Sequence, residues 1–296
     1  MIVCAGSIAF DTTHTPFKSV RKELGGTASY FGVASSFFTK TGLVSTVGTD
    51  FTQKYWSELS KRCDLSGVER RKGNTFSFES KFGFDLEDRK FLGLKEGVFE
   101  KGKWIVPESF KNAGILFLNT HHLDLNERVY AQAKAENVFL DIIEYLIKSQ
   151  KREVLKFLRK TRGFIINEME ARILEGETNL IKAGKAIQRK GPEIVVIKKG
   201  EHGGLLFFEN DVFPFPAFPL ENVVDPTGAG DGFAGGFAGW LDKKGKISEK
   251  SLRKACSYGT VMASFCVEDF GLNKLLKISK GDVEKRLKEY ERLTFA

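Results

Sequence analysis

Val223-Val-Asp-Pro-Thr-Gly-Ala-Gly-Asp-Gly-Phe-Ala-Gly-Gly236 carries a short apolar run through a turn and into an apolar helical pattern. Asp225-Pro226-Thr227 makes the turn, since proline fixes φ and an Asp-Pro step favours turn initiation. The small residues that follow let a substrate approach the backbone closely. Amides left unpaired at a helix N-terminus favour negative charge, which makes this a place to bind a phosphoryl group. Asp231 is the unexpected member, because a carboxylate here repels phosphate unless it has a task. Accepting a proton from an attacking hydroxyl is one such task, and capping the helix is the other reading.

Gly230-x-Gly232-x-x-Gly235 also spells the dinucleotide fingerprint. That motif should open a βαβ unit with an acidic residue about twenty positions on. Only helical patterns follow here, Asp225-Pro226 interrupts the approach from the strand, and the first strand has only Gly6. A nicotinamide-dependent enzyme is set aside on those grounds.

Outward from the turn, apolar runs with the length of buried strands recur at Ile2–Ala5, Leu43–Val47, Ile115–Leu118, Val138–Leu140, Phe164–Ile166 and Ile194–Ile197. Between most of them, Asp124–Glu136, Arg152–Lys160 and Asn179–Lys190 space apolar residues three or four apart, as amphipathic helices do. Helical patterns close the chain at Phe233–Leu241, Glu249–Val267 and Lys280–Glu291. The alternation predicts an α/β fold with a mainly parallel sheet covered on both faces. Two segments, near 10–25 and 75–100, break the rhythm with strand and turn residues but no covering helix. Thr75-Phe-Ser-Phe-Glu-Ser-Lys-Phe82 alternates as a strand with one apolar face does. We expect a single domain over 1–296 with these segments forming a small β lid.

Of the 296 residues, 42% are hydrophobic and 28% charged, as in folded globular chains. The net charge of +8 is spread along the sequence. It favours anionic ligands in general, and with no basic stripe or recognisable module it does not point to nucleic acid. Cys4, Cys63, Cys256 and Cys266 lack metal or redox spacing and read as reduced packing residues. No apolar segment approaches membrane-spanning length, and the opening Met-Ile-Val-Cys-Ala-Gly-Ser has no basic stretch before a long apolar run. A cytoplasmic location with no membrane partner is the expectation.

Asp225–Ala238 resembles the second signature of the ribokinase-like, or PfkB, carbohydrate kinases, and weaker motifs recur in the family's order along nearly the whole chain. The resemblance implies a three-layer α/β/α fold with a small β lid, ATP as phosphate donor, and Mg2+. It implies Asp231 as the catalytic base and the amides of Gly228, Ala229 and Gly230 as an anion hole. Asn167-x-x-Glu170 matches the Asn-x-x-Glu motif that polarises phosphate and organises magnesium through water; taken alone, the tetrapeptide also reads as a helix cap. Gly200-Glu-His-Gly203 matches the turn of the nucleotide site, and the stretch ending at Gly271 falls where the family forms its adenine pocket. Lys198 and Lys199 either meet nucleotide phosphates or are solvated.

For the acceptor, the resemblance points to Asp11 at the end of the first strand, to Gly25-Gly26 at the hinge of the lid, and to Asn119 at another strand end. Asp225 and Thr227 occupy positions that hold a monovalent cation, K+, in some members. A sugar is the first expectation for the substrate, with a nucleoside kinase (adenosine-like) or a phosphosugar kinase as alternatives. Phe10, Phe17 and Phe78 would stack on a base or belong to the core. A catalytically silent sugar-binding regulator would have no need of Asp231. A homodimer through the lid is a further expectation.

Overall fold

The computed structural model describes residues 1–86 and 89–294. Positions 87–88 of the second expected lid segment, and 295–296 at the end of the expected domain, lie outside the described residues.

The strands are β1 (Ile2–Gly6), β2 (Ala9–His14), β3 (Ser19–Gly25), β4 (Thr41–Gly48), β5 (Asp64–Arg71), β6 (Phe76–Phe82), β7 (Arg89–Lys95), β8 (Ile115–Asn119), β9 (Asn137–Asp141), β10 (Gly163–Asn167), β11 (Ile194–Lys198), β12 (Gly204–Phe208) and β13 (Asp211–Phe215). Nine of them form one sheet in the order β13-β12-β11-β10-β9-β8-β1-β4-β5, and the other four form a smaller sheet, β3-β2-β6-β7. From β11 to β5 every neighbouring pair is parallel, and at the other edge the β11–β12 and β12–β13 pairs are antiparallel.

Both faces of the large sheet are buried, which is why its strands read as unbroken apolar runs. Ile2 and Cys4 of β1 point into one core with Phe31, Phe233 and Met262 from the helices Thr27–Ser35, Ala229–Lys244 and Glu249–Cys266. Val3 and Ala5 point into the other with Leu125, Val154 and Ala171 from the helices Leu123–Gln132, Lys151–Leu158 and Glu168–Glu175. The glycines that follow Asp231 set the packing of its helix. A Cβ at Gly235 would lie 2.4 Å from the Phe31 carbonyl oxygen, so helix Ala229–Lys244 can lie against Thr27–Ser35 only without one.

Each strand read from an apolar run is present. The sequence pattern did not reveal the helix Gln53–Ser60, whose one buried residue is Leu59, nor the β12–β13 hairpin. No helix among the described residues is long and apolar enough to cross a membrane, and all four cysteines are buried free thiols.

Candidate active site

The strand order of the large sheet reverses direction between β1 and β8. From β1 the chain builds outward through β4 and β5, then returns to β8 and builds the other way through β13. Loops beyond the carboxyl ends of such strands diverge and leave a crevice, where open α/β sheets bind ligands. Asn119 ends β8, Asp141 ends β9, Asn167 ends β10 and Lys198 ends β11. The chemistry-bearing residues therefore gather along one rim of the sheet. A surface hollow of about 410 Å³, lined by Leu116, Glu136, Val138 and Arg162 among others, lies toward the opposite rim and holds none of them.

Asp231 enters this rim from the first turn of helix Ala229–Lys244, and Asn119 Nδ2 donates to its Oδ1 at 2.7 Å. Lys198 Nζ donates to Asp141 Oδ2 at 2.7 Å, with the two side chains only 18% and 9% exposed. The lysine is therefore an internal ion-pair partner, which corrects the reading of it as solvated. Its ammonium also borders the glycine turn, 3.0 Å from where a Gly230 Cβ would stand. Glu170 Oε2 accepts from the Asn167 amide at 3.0 Å while Asn167 Oδ1 accepts from the Glu170 amide at 2.8 Å. The Asn-x-x-Glu motif is thus a capping box, and the same box holds the buried Glu170 beside the cluster.

Crowded buried carboxylates resist ionisation. Burial, and then the charge of Asp141, push Asp231 up to about 6 against the pull of Lys198 and the Asn119 hydrogen bond. Burial and Asp141 likewise push Glu170 up to about 7. Asp11 rises to about 7 through burial and the charge of Asp225, with Asp231 adding to it. Burial disfavours the Lys198 ammonium, but Asp141 and Glu170 outweigh it and hold the group above its ordinary value.

In the unfolded chain Asp and Glu titrate at about 4. The folded protein therefore binds more protons on these three carboxyls between about pH 4 and the values of about 6 to 7. Their contribution to stability is largest below the unfolded value and falls as pH rises through that window. The ligand-free protein is expected to melt at a higher temperature near about pH 5 than near about pH 8. A melting temperature that rises steadily over this range would contradict the crowding.

At the junction between the sheets, Gly26 has φ +91°, and a Cβ there would lie 2.5 Å from the Ser7 carbonyl oxygen. At Gly25 a Cβ would lie 1.9 Å from Asp11 Oδ2, so the diglycine is what lets the chain pass over the carboxylate. The following residue, Thr27, accepts from the Ser7 amide at 3.0 Å and donates to the Asn119 carbonyl oxygen at 3.0 Å. The junction is thereby tied to the asparagine that holds Asp231.

Gly228, with φ +79°, is the residue before helix Ala229–Lys244. The Ala229 amide donates to the Pro226 carbonyl at 3.2 Å, whereas no backbone carbonyl among the described residues accepts from Gly230 or Asp231. The Thr227 amide donates to Asp225 Oδ1 at 2.9 Å, and Asp225 is buried. Gly200 and Gly203 shape the turn between β11 and β12, and Gly271 lies 2.9 Å, at its missing Cβ, from the Leu24 carbonyl oxygen. Phe10 is core, packed on Phe51 and Tyr55; Phe17 is 70% exposed, and Phe78 pairs with Phe91 on the smaller sheet.

The sequence reading did not single out Asp141. Its signal is an aspartate closing an apolar strand, meaningful only once the strand order sets it between β8 and β10.

Residues 2–278 match the pfkB family of carbohydrate kinases. A cytidine kinase from Thermococcus kodakarensis is 30% identical over 265 residues, which span 85% of this chain and 92% of that protein. A nucleoside kinase from Methanocaldococcus jannaschii, an archaeal member of the ribokinase family, superposes with a TM-score of 0.79 at 23% identity over 97% of this chain and 98% of its own. A candidate ribokinase II from E. coli, solved with ATP and Mg2+, superposes with a TM-score of 0.81 at 18% identity over 97% and 99%. The fold is therefore the ribokinase-like α/β fold, and the protein is an ATP-dependent phosphotransferase acting on an alcohol group. The chain belongs to the pfkB family of carbohydrate kinases, whose members phosphorylate sugars and nucleosides.

Proposed function

We propose that this protein transfers the γ-phosphate of ATP to a hydroxyl of a nucleoside, with Asp231 as the base. The observation that carries the chemistry is the Asn119–Asp231 hydrogen bond at the strand reversal. It fixes Oδ1 and leaves Oδ2 to take the proton from the attacking hydroxyl. The oxygen of the acceptor hydroxyl bonds to the γ-phosphorus as its proton passes to Oδ2, the bond from phosphorus to the β,γ-bridging oxygen breaks, and ADP carries away the electron pair. The amides of the Gly228–Gly230 turn, with the Lys198 ammonium beside Gly230, face the transferring phosphoryl group. Of the three turn amides, those of Gly228 and Gly230 are the better placed, since that of Ala229 already serves Pro226.

Mg2+ fits the donor set. Buried Asp141 and Glu170 and half-buried Asp231 face one ammonium, and burial first, then the charge of Asp141, holds Glu170 and Asp231 above their ordinary values, so a cation there has more than one carboxyl to meet. When bound, the cation neutralises charge on the phosphates; Glu170, fixed by its capping box, is the residue that would organise it. A monovalent cation fits Asp225 and Thr227 because a buried carboxylate and a buried hydroxyl oxygen stand together there.

Asp11, Gly25 and Gly26 face the acceptor, and the β3-β2-β6-β7 sheet serves as its lid. Support for a nucleoside over a sugar comes from relatives matched along most of their length, which are named as cytidine or nucleoside kinases. ADP release should be measured against a panel of nucleosides, sugars and phosphosugars, in potassium and in tetramethylammonium salts. A nucleoside is expected to give the highest kcat/KM, with a higher rate in potassium; turnover confined to sugars would sink the acceptor assignment.

Strand β7 is an edge strand on which Phe91, Leu92 and Leu94 are 60%, 51% and 37% exposed. Apolar side chains on both faces of an edge strand call for a covering surface, and a second lid supplies one. Light scattering should find a dimer that Phe91→Glu with Leu94→Glu converts to monomer; a monomeric wild type would remove this reading.

A further inference from the structure

Glu96, His121 and His122 converge where the smaller sheet meets the larger. Glu96 directly follows β7, and the histidines lie two and three residues beyond Asn119. Glu96 Oε1 is 2.8 Å from His121 Nε2 and 3.3 Å from His122 Nε2, and one ligand atom from each residue lies within 4.8 Å of the others. The second carboxylate oxygen, Oε2, is buried without a hydrogen-bond partner. A buried acceptor left unpaired is costly, so the arrangement calls for a ligand.

The rings are held in place. His121 stacks on Phe99 at 4.9 Å and 14° and packs on Phe76 at 5.0 Å. No step of the phosphotransfer uses these three residues.

We propose that Glu96, His121 and His122 form a binding site for a divalent transition-metal cation, with Zn2+ the best match to two imidazoles and a carboxylate. Mg2+ prefers all-oxygen surroundings and keeps its waters, so this is a different site from the one at Glu170. Ligands about 2.0–2.1 Å from a tetrahedral zinc stand about 3.3 Å apart; the carboxylate oxygen stands 2.8 and 3.3 Å from the ring nitrogens, and the three ligand atoms, within 4.8 Å of one another, draw together on the cation. In the metal-free chain each Nε2–H donates to the carboxylate. On loading, each ring proton moves from Nε2 to Nδ1, the Nε2 lone pair takes the cation, and a neutral imidazole loses no net proton. The cation fastens the end of β7 to the loop after β8, beside Asn119, and restrains the smaller sheet against the larger.

Chelator-treated full-length protein, without ATP or magnesium, should be titrated with zinc sulfate by calorimetry and with Co2+ by visible absorption. One zinc per chain is expected in the wild type and in Asp231→Asn. In Glu96→Gln, which keeps the side-chain shape, and in His122→Ala, affinity should fall at least about tenfold and the cobalt d–d bands should disappear. The site is overturned if the wild type takes up no stoichiometric zinc, if both substitutions leave affinity unchanged, or if Asp231→Asn alone abolishes binding.

Discussion

Asp231→Asn is expected to lower kcat by about 10²–10⁴-fold, the range a positioned general base supplies, with KM for ATP little changed. Asparagine fills the same volume and can still accept from Asn119 through its carbonyl oxygen, so the rim keeps its shape. What it cannot do is take a proton from the acceptor hydroxyl. Positioning and charge stabilisation by the Gly228–Gly230 turn and Lys198 would remain and account for residual turnover. Steady-state kinetics with ATP and acceptor varied separately would check both halves of this expectation. Near-normal kcat would remove Asp231 from the reaction, and a large rise in KM for ATP alone would make it a binding residue.

Lys198→Met should be strongly destabilising. Lys198 and Asp141 are paired at 2.7 Å with little exposure, and Glu170 and Asp231 also lean on the ammonium. Removing one partner of a buried pair strands the other and costs about 3–5 kcal/mol. Adding Asp141→Asn, which removes the stranded charge, should recover part of that loss, so the two changes will not be additive. Urea unfolding of the two single variants and the double variant measures the coupling. A Lys198→Met effect within about 0.5 kcal/mol of zero, as for an ordinary surface change, would mean that the pair is solvated after all. Turnover should also fall in Lys198→Met, because the same ammonium borders the turn at Gly230.

Six of the nine strands of the large sheet, β1, β4, β8, β9, β10 and β11, were legible because both their faces are buried and such strands are written as apolar runs; β5, β12 and β13, at the two edges, were not. The glycine turn was legible because few other residues tolerate the close approach of Ala229–Lys244 to its neighbours. Asp11 and the diglycine were found through the family's motifs; their physical basis, a carboxylate lying 1.9 Å from a missing Cβ, appears only in three dimensions. Asp141 was not found, since an aspartate after Phe139-Leu140 is locally unremarked and its role comes from the order of β8, β9 and β10. Lys198 had two readings, phosphate contact or solvation, for the same reason: a lysine ending a strand shows its surroundings only when its neighbours are known, and the ion pair with Asp141 removes the second. The Glu96–His121–His122 cluster joins residues of two sheets and has no local spacing to betray it. The Asn167–Glu170 tetrapeptide had two readings, and the structure holds the capping box and places Glu170 against the cluster at once.

The central claim is that Asp231 takes the proton, and the pH dependence of kcat/KM tests it most directly because that profile reports ionisations of the free enzyme. With wild type and Asp231→Asn measured side by side, the wild-type value should fall about tenfold per pH unit below an apparent pKa of about 6. The low residual activity of the variant should lack that limb. A limb of the same position and slope in both proteins would contradict the assignment.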